Sequence, residues 1–431
     1  MDSIEITFHP ITLYQLAAFP CAVLYCYLSS YALLPTILRY LYLLVGGVIL
    51  ASTSMGYYAI LVLTPAMGAT VLFHTNGHHS IHRWAFILQM AWQTLCHLWV
   101  MYRQYYLREL MTIRASIMIS SLMLLTQKIT SLAMDIHEKK VTVSTRGLME
   151  LKDKALPHPP LTRSVLAVLS YLLFFPALLG GPLCSFVEFQ QQINKRKVWD
   201  NLGLIWTVGK SCTFFFIFHL LQSIITDHIT FEYNLTDCRQ WECVYVMWST
   251  ALVYKITYYS HWLLDEALLY SAGFYVGSGF YIAYTDSNIY TLETTNRISL
   301  FARTWNKSTA MWLRRLIFQK CTKWPLLSTF AFSAWWHGLY PGQVVGFLCW
   351  AVMVEADYRI HAKLSIISKS PYIRFLCKLI TWFQTQMIIA FIMLAVEMRN
   401  VTMLKALVFS YNSLFPLLYC VSLIFLIKLK P

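Results

Sequence analysis

Trp324-Pro325-Leu326-Leu327-Ser328-Thr329-Phe330-Ala331-Phe332-Ser333-Ala334-Trp335-Trp336-His337-Gly338 is an apolar run that carries an imidazole near its end. Read alone, it is a buried helix with one costly polar group. Read with the rest of the chain, it is one of about eleven apolar runs, at 11–34, 41–63, 84–102, 112–134, 164–187, 203–226, 243–264, 324–341, 343–358, 379–396 and 403–427. Several reach the roughly 20 residues a helix needs to cross a bilayer core. Backbone in lipid must satisfy its own hydrogen bonds, so these runs are expected to be helices. Strand alternation of the outer-membrane barrel kind is absent. The sequence therefore predicts an all-α, polytopic membrane protein of about 11 transmembrane helices, forming a single domain over 1–431.

Composition agrees. Of the 431 residues, 58% are hydrophobic and 13% are charged, about half the charge of a soluble chain. Mean hydropathy is +0.53. The net charge of +14, from 34 Lys and Arg against 20 Asp and Glu, would suggest nucleic acid in a soluble protein. In a membrane protein it marks cytosolic loops instead, and a basic rim also attracts an anionic cosubstrate. Most of the 11 cysteines, such as Cys96, Cys184, Cys212, Cys349 and Cys420, lie in apolar runs and act as small hydrophobes. Cys238 and Cys243 could pair only if their loop is luminal. The start, Met1-Asp2-Ser3-Ile4-Glu5, lacks a basic n-region, so 11–34 is expected to be a retained membrane segment.

Charge orients the later runs. Lys195-Arg196-Lys197 is basic, and the acidic 227–237 stretch holds the sequon Asn234-Leu235-Thr236, as suits the lumen. Arg303, Lys307, Arg314, Arg315, Lys320 and Lys323 form the densest basic stretch; Arg359, Lys363, Lys369, Arg374 and Lys378, then Lys428 and Lys430, read likewise as cytosolic. The run at 164–187 breaks the alternation. It contains Pro176, Gly180, Gly181 and Pro182. Two readings stand: a re-entrant hairpin broken at Gly180-Gly181-Pro182, lining a cavity, or a Pro-kinked helix.

Polar groups inside apolar runs are the informative exceptions. His337 lies 13 residues past Trp324, roughly 20 Å along a helix. A neutral imidazole there can act as a general base, or it can be a hydrogen-bonded core histidine. Phe330, Ser333 and Ala334 share its helical face, which would suit an alkyl passage, although on its own such a face of small residues reads first as helix packing. Mirrored about residue 340, Phe330 and Trp350 should sit at one level in antiparallel neighbours. Two rings there, about 10 Å of helix from His337, would suit an alkyl-chain ruler. Asn306 stands in a basic, Trp-containing stretch; an amide cannot be a base, but it can orient a group or donate to a developing oxyanion. The sequon Asn306-Lys307-Ser308 is discounted as cytosolic. His74, His78, His79 and His82 read as a loop and no metal site is assigned. Glu355 and Asp357 end an apolar run and are expected to reach water, whereas Asp265 and Glu266 either line a cavity or sit at the interface.

Arg303-Thr304-Trp305-Asn306, followed about thirty residues later by Trp336-His337-Gly338, resembles the signature of the membrane-bound O-acyltransferase (MBOAT) family. Phe174-Phe175-Pro176-Ala177-Leu178-Leu179-Gly180-Gly181-Pro182 and Thr126-Gln127-Lys128-Ile129-Thr130-Ser131-Leu132-Ala133-Met134-Asp135 are similar to two further family segments. His9-Pro10-Ile11-Thr12-Leu13-Tyr14-Gln15, Trp92-Gln93-Thr94-Leu95-Cys96-His97-Leu98, Thr257-Tyr258-Tyr259-Ser260-His261-Trp262, Trp350-Ala351-Val352-Met353-Val354-Glu355-Ala356-Asp357-Tyr358 and Ser410-Tyr411-Asn412-Ser413 resemble its peptide-acylating branch.

The resemblance implies an MBOAT fold enclosing a membrane-spanning tunnel, in the endoplasmic reticulum membrane, with a cytosolic C-terminus. It implies transfer of a medium-chain acyl group, chiefly octanoyl, from acyl-CoA as cosubstrate to the third-position serine of ghrelin or proghrelin, with no bound cofactor. It carries the catalytic roles to His337 and Asn306. Arg303, Arg314 and Arg315 are then candidates to attract the CoA phosphates. Phe330, Ser333, Ala334 and Trp350 become candidates for the acyl pocket. Three alternatives remain open on the residues alone: a lysophospholipid acyltransferase, a transporter or channel with His337 on an ion path, and a receptor or scaffold.

Overall fold

The computed structural model describes residues 10–75, 79–144, 148–151, 161–194, 201–232, 238–274, 288–367 and 370–428. The sequon at Asn234, the triplet Lys195-Arg196-Lys197, His78, Lys369 and Lys430 lie outside these residues. The protein is an all-α, multi-pass membrane protein. The only strands among the described residues form a short antiparallel hairpin, Val141–Ser144 with Leu148–Leu151, in which Val141 faces Leu151.

Among the described residues, five helices are long and apolar enough to cross a bilayer: Ile11–Ser30, Thr36–Thr75, Ile113–His137, Ile205–His228 and Pro371–Glu397. A sixth is counted if Val401–Val408 and Tyr411–Leu423, bent by 61° at their junction, form one span. The runs at 84–102, 243–264, 324–341 and 343–358 also fold as helices, Ile81–Tyr105, Trp241–Ser271, Pro325–His337 and Pro341–Ile367, but fall short of that standard. Polar side chains explain part of the shortfall. In Ile81–Tyr105, Gln89 Nε2 donates to Thr126 Oγ1 at 3.1 Å, and that hydroxyl donates to Gln93 Oε1 at 2.5 Å. Large apolar side chains such as Ile49, Leu98, Phe216 and Ile380 are exposed, as a lipid-facing surface requires.

The chain divides into two compact units, Met1–Phe215 with His261–Thr285, and Phe216–Ser260 with Asp286–Pro431. The first contains the run at 164–187, which is neither a full span nor a kinked helix. Helix Leu161–Leu172 stops before Pro176, a 3-10 turn covers Phe175–Ala177, and helix resumes at Phe186–Asn194. The first piece has 12 residues, about 18 Å, well short of a ~30 Å hydrocarbon core. The helix therefore ends several residues before Gly180-Gly181-Pro182, the expected break.

Side chains from other helices close this opening. Buried Lys128 donates from Nζ to Ala177 O at 2.8 Å and reaches Leu172 O at 3.5 Å. The Tyr171 hydroxyl donates to Cys184 O at 2.8 Å. Gly47, on helix Thr36–Met55, has the Leu173 carbonyl where a Cβ would stand, so only glycine permits this approach. Gly180 abuts the Asp265 carboxylate in the same way. Asp265 is buried and accepts from Gln15 Nε2 at 2.6 Å, while Gln15 Oε1 meets His261 Nδ1 at 3.1 Å. Asp265 therefore supports the Gly-Gly-Pro segment inside the first unit.

In the second unit, Cys238 and Cys243 are joined by a disulfide at the start of helix Trp241–Ser271. Helices Pro341–Ile367 and Pro371–Glu397 pack at close range through Gly342 and Gly346, whose missing side chains admit the carbonyls of Ala395 and Met398 and the side chain of Val396.

The two kinds of helical glycine predict opposite outcomes. Gly47→Ala should lower the stability of the detergent-purified protein by at least about 1–3 kcal/mol through overpacking. Gly68 has open space around it, so Gly68→Ala should be neutral or stabilising by roughly 0.5–1 kcal/mol. Thermal unfolding of both variants measures the contrast.

Candidate functional site

Asn306 and His337 both lie in the second unit, each at a helix end. Helix Ile298–Thr304 closes at Trp305, and Asn306 then adopts φ 46°, ψ 63° before helix Lys307–Leu313 begins. Asparagine tolerates this left-handed geometry better than most side chains. Its Oδ1 also accepts a long bond from Thr309 N at 3.4 Å, capping the new helix. That helix runs into a π-helical turn, Arg314–Phe318, a form frequent at functional sites.

His337 is the last residue of helix Pro325–His337. Its 13 residues make about 20 Å of helix, and the imidazole stands at a helix terminus and not within a continuing helix. Gly338, at φ 124°, closes that terminus by donating to Ala334 O and Trp335 O, and Leu339 N donates to Ala334 O at 3.0 Å. The chain then turns through Tyr340 and re-enters helix at Pro341.

This reversal sets the two helices side by side. The Phe330 and Trp350 rings are 5.7 Å apart, at the common level the mirror argument requires. Phe347 completes the wall: its ring is 4.9 Å from the His337 imidazole and stacks on Trp350 at 6.3 Å and 11°. Sequence reasoning missed Phe347, although it lies one turn before Trp350 on the same face. The Trp350 indole N–H is buried without a hydrogen-bond partner among the described residues. Ala334 is buried nearby in sequence, and the buried Ser333 hydroxyl donates back to Thr329 O at 3.0 Å. Ser333 therefore presents little free polarity, which suits an apolar face.

A continuous series of ring contacts leads from this wall to the residue before Asn306. Trp350 meets Phe301 at 6.3 Å, and Phe301 stacks on Trp305 at 5.5 Å and 14°. Trp305 in turn touches Tyr258 at 5.3 Å and Tyr259 at 6.1 Å. Both tyrosines are held by carboxylates: Tyr258 donates to Glu397 Oε1 at 3.0 Å, and Tyr259 to Glu293 Oε1 at 2.6 Å. Lys255 Nζ reaches both Glu293 carboxylate oxygens at 2.7 Å.

The other sequence candidates fall as follows. Arg303 and Arg314 are exposed and Arg315 is half-buried. Arg303 Nε donates to Ser299 O at 3.1 Å. Glu355 is exposed and pairs with Arg359, but Asp357 overturns its expectation: it is fully buried, with partners described below. Among the described residues, His74 and His82 of the histidine cluster have close partners. His74 bonds Thr70 O and Ser164 Oγ, and the His82 ring lies 3.8 Å from that of His137. Among the described residues, no group of three or more His, Cys, Asp or Glu is arranged to hold a metal.

The sequence model described as MBOAT, membrane-bound O-acyltransferase family, matches residues 75–398. The chain is 47% identical to the membrane-bound ghrelin O-acyltransferase of Mus musculus, covering 100% of this chain and 99% of that protein. The Rattus norvegicus protein of the same name is also 47% identical with the same coverage. The membrane-bound glycerophospholipid O-acyltransferase 2 of Gallus gallus is 27% identical over 80% of this chain and 70% of its own length.

The backbone at Asn306 lets its structural role be separated from the catalytic role expected of it. Asn306→Gly keeps the left-handed turn and should change stability by only a few tenths of a kcal/mol, yet should remove acyl transfer. Asn306→Ala should lose activity and also about 1–2 kcal/mol through the strained φ. Unfolding curves and acyl-transfer assays on the same preparations test the distinction.

Proposed function

The chain belongs to the membrane-bound O-acyltransferase family and is an acyltransferase, and we propose that it moves a medium-chain acyl group, chiefly octanoyl, from acyl-CoA to the third-position serine of ghrelin or proghrelin. The supporting observation is likeness along the full length of both chains to relatives named for ghrelin acylation. Resemblance to the glycerophospholipid acyltransferases is fainter and partial. The chain is taken as one acyltransferase domain over 1–431.

His337 acts as the general base. The serine Oγ attacks the thioester carbonyl carbon while the imidazole takes the hydroxyl proton. The C–S bond then breaks, and the departing CoA sulfur collects that proton, leaving the ester and free CoA. Asn306 orients the donor or steadies the developing oxyanion through its amide. The wall of Phe347, Trp350 and Phe330 beside His337 offers the alkyl chain an apolar path. Arg303, Arg314 and Arg315 attract the CoA phosphates, as long-range attraction does not require burial. The scheme needs no metal and no bound cofactor.

The enzyme lies in the endoplasmic reticulum membrane, with acyl-CoA arriving from the cytosol and peptide from the lumen through a shared tunnel. The Cys238–Cys243 disulfide suits a luminal position for that end of its helix. The basic 303–323 stretch and the C-terminus are cytosolic. A protease added outside sealed microsomes should therefore reach the C-terminus, and protection there would refute this topology.

The direct test gives microsomal enzyme octanoyl-CoA with either a ghrelin peptide or a lysophospholipid. Peptide acylation that vanishes in His337→Ala, at normal protein level, is the expected result; transfer only to lipid would favour the lysophospholipid reading. In the same assay, Phe330→Ala and Trp350→Ala should move the donor preference toward longer chains. If both variants fold and the preference stays at octanoyl, the rings serve packing and not measurement.

A further inference from the structure

Asp357 is fully buried in helix Pro341–Ile367, and nothing in the chemistry above uses it. A carboxylate in that position is costly unless its oxygens are occupied. Here they are: Oδ1 accepts from Ile298 N at 3.1 Å and the Tyr419 hydroxyl at 3.1 Å, and Oδ2 from Ser299 N at 3.3 Å. Arg297 Nε lies 3.5 Å from Oδ2, and His361 Nε2 lies 3.4 Å from Oδ1.

The placement of these partners matters more than their number. Ile298 and Ser299 open the seven-residue helix Ile298–Thr304 that delivers Trp305 and Asn306. A helix that short has no stability of its own, so tertiary contacts decide where it lies. Two contacts tie it to helix Pro341–Ile367: Asp357 at its start, and Trp350 through Phe301 in its middle. The same long helix presents Phe347 to His337, with Trp350 stacked behind Phe347. Asp357 thus joins the start of the helix that delivers Asn306 to the helix whose Phe347 faces His337.

We propose that Asp357 is a positioning residue for acyl transfer, fixing helix Ile298–Thr304 against helix Pro341–Ile367 so that Asn306 is held in register with His337. The inference rests on the site reading given above. Its carboxylate touches neither donor nor acceptor; it acts through the main chain of Ile298 and Ser299. Asparagine at 357 would keep the shape but replace one acceptor oxygen with an N–H-bearing group facing donors.

The test compares purified Asp357→Asn, Asn306→Ala and wild-type enzyme with octanoyl-CoA and ghrelin peptide. For Asp357→Asn, kcat should fall roughly 10- to 100-fold, the scale of a small misplacement. KM for octanoyl-CoA should stay within about 3-fold, because a mispositioned orienting group affects the chemical step more than binding. Loss proportional only to unfolded protein, or wild-type kcat, would overturn the proposal while leaving an impaired Asn306→Ala, and with it the site, intact. A fully active Asn306→Ala would instead bring down the site reading on which it stands. Should Asp357→Asn fail to accumulate, Tyr419→Phe removes a single donor and carries the same criterion: a kcat loss of about 3- to 10-fold at unchanged KM is expected, and wild-type kcat overturns it.

Discussion

A helix end inside a membrane has no water to complete its hydrogen bonds, and that constraint organises this structure. Where the chain breaks within apolar surroundings, a side chain from elsewhere supplies the missing partner. Arg39 donates to the carbonyls of Leu34, Ile193 and Ser29. Lys128 closes the carbonyls around the Phe175–Ala177 turn, and Asp357 receives the N–H groups that open helix Ile298–Thr304. Each of these residues sits in a long helix, where it would be an expensive anomaly without a neighbouring break to pair with. Beside a break, each is required.

The breaks coincide with the two candidate residues. Asn306 occupies a left-handed turn between two short helices, and His337 ends one helix just before the chain reverses. A residue in mid-helix is surrounded by its own backbone and shows one face to its neighbours. A residue at a terminus can meet groups from several directions. Gly338 and the turn through Tyr340 bring Phe347 against the imidazole, an approach that a continuing helix would deny.

The aromatic series from His337 through Phe347, Trp350, Phe301 and Trp305 gives the site its rigidity. Rings interlock with few rotatable bonds, so their positions are set by packing and cost little further ordering. For an alkyl chain the wall offers apolar surface without competing hydrogen bonds. The tyrosine end, anchored by Glu293 and Glu397, is the polar counterpart.

Eleven apolar runs and a charge deficit were enough to read an all-α membrane protein from the sequence alone. The Asn306 and His337 signatures, and the level match of Phe330 with Trp350, were legible because helical period and a short turn are local properties. The break in 164–187 was legible as an event, though not its position, because Lys128 and Gly47 act on it from distant parts of the chain. Asp357 was misread, since an acidic residue near the end of an apolar run looks like one reaching for water. Only the fold brings Ile298, Ser299, Arg297, His361 and Tyr419 around it. Phe347 became visible beside His337 only once the helices were paired. Sequence thus determined that the chain is helical and multi-pass, and singled out Asn306 and His337 as candidates, because transfer free energy and helical period act along the chain. Tertiary structure alone decided which buried charges are satisfied and what faces the imidazole, because those partners come from segments far apart in sequence.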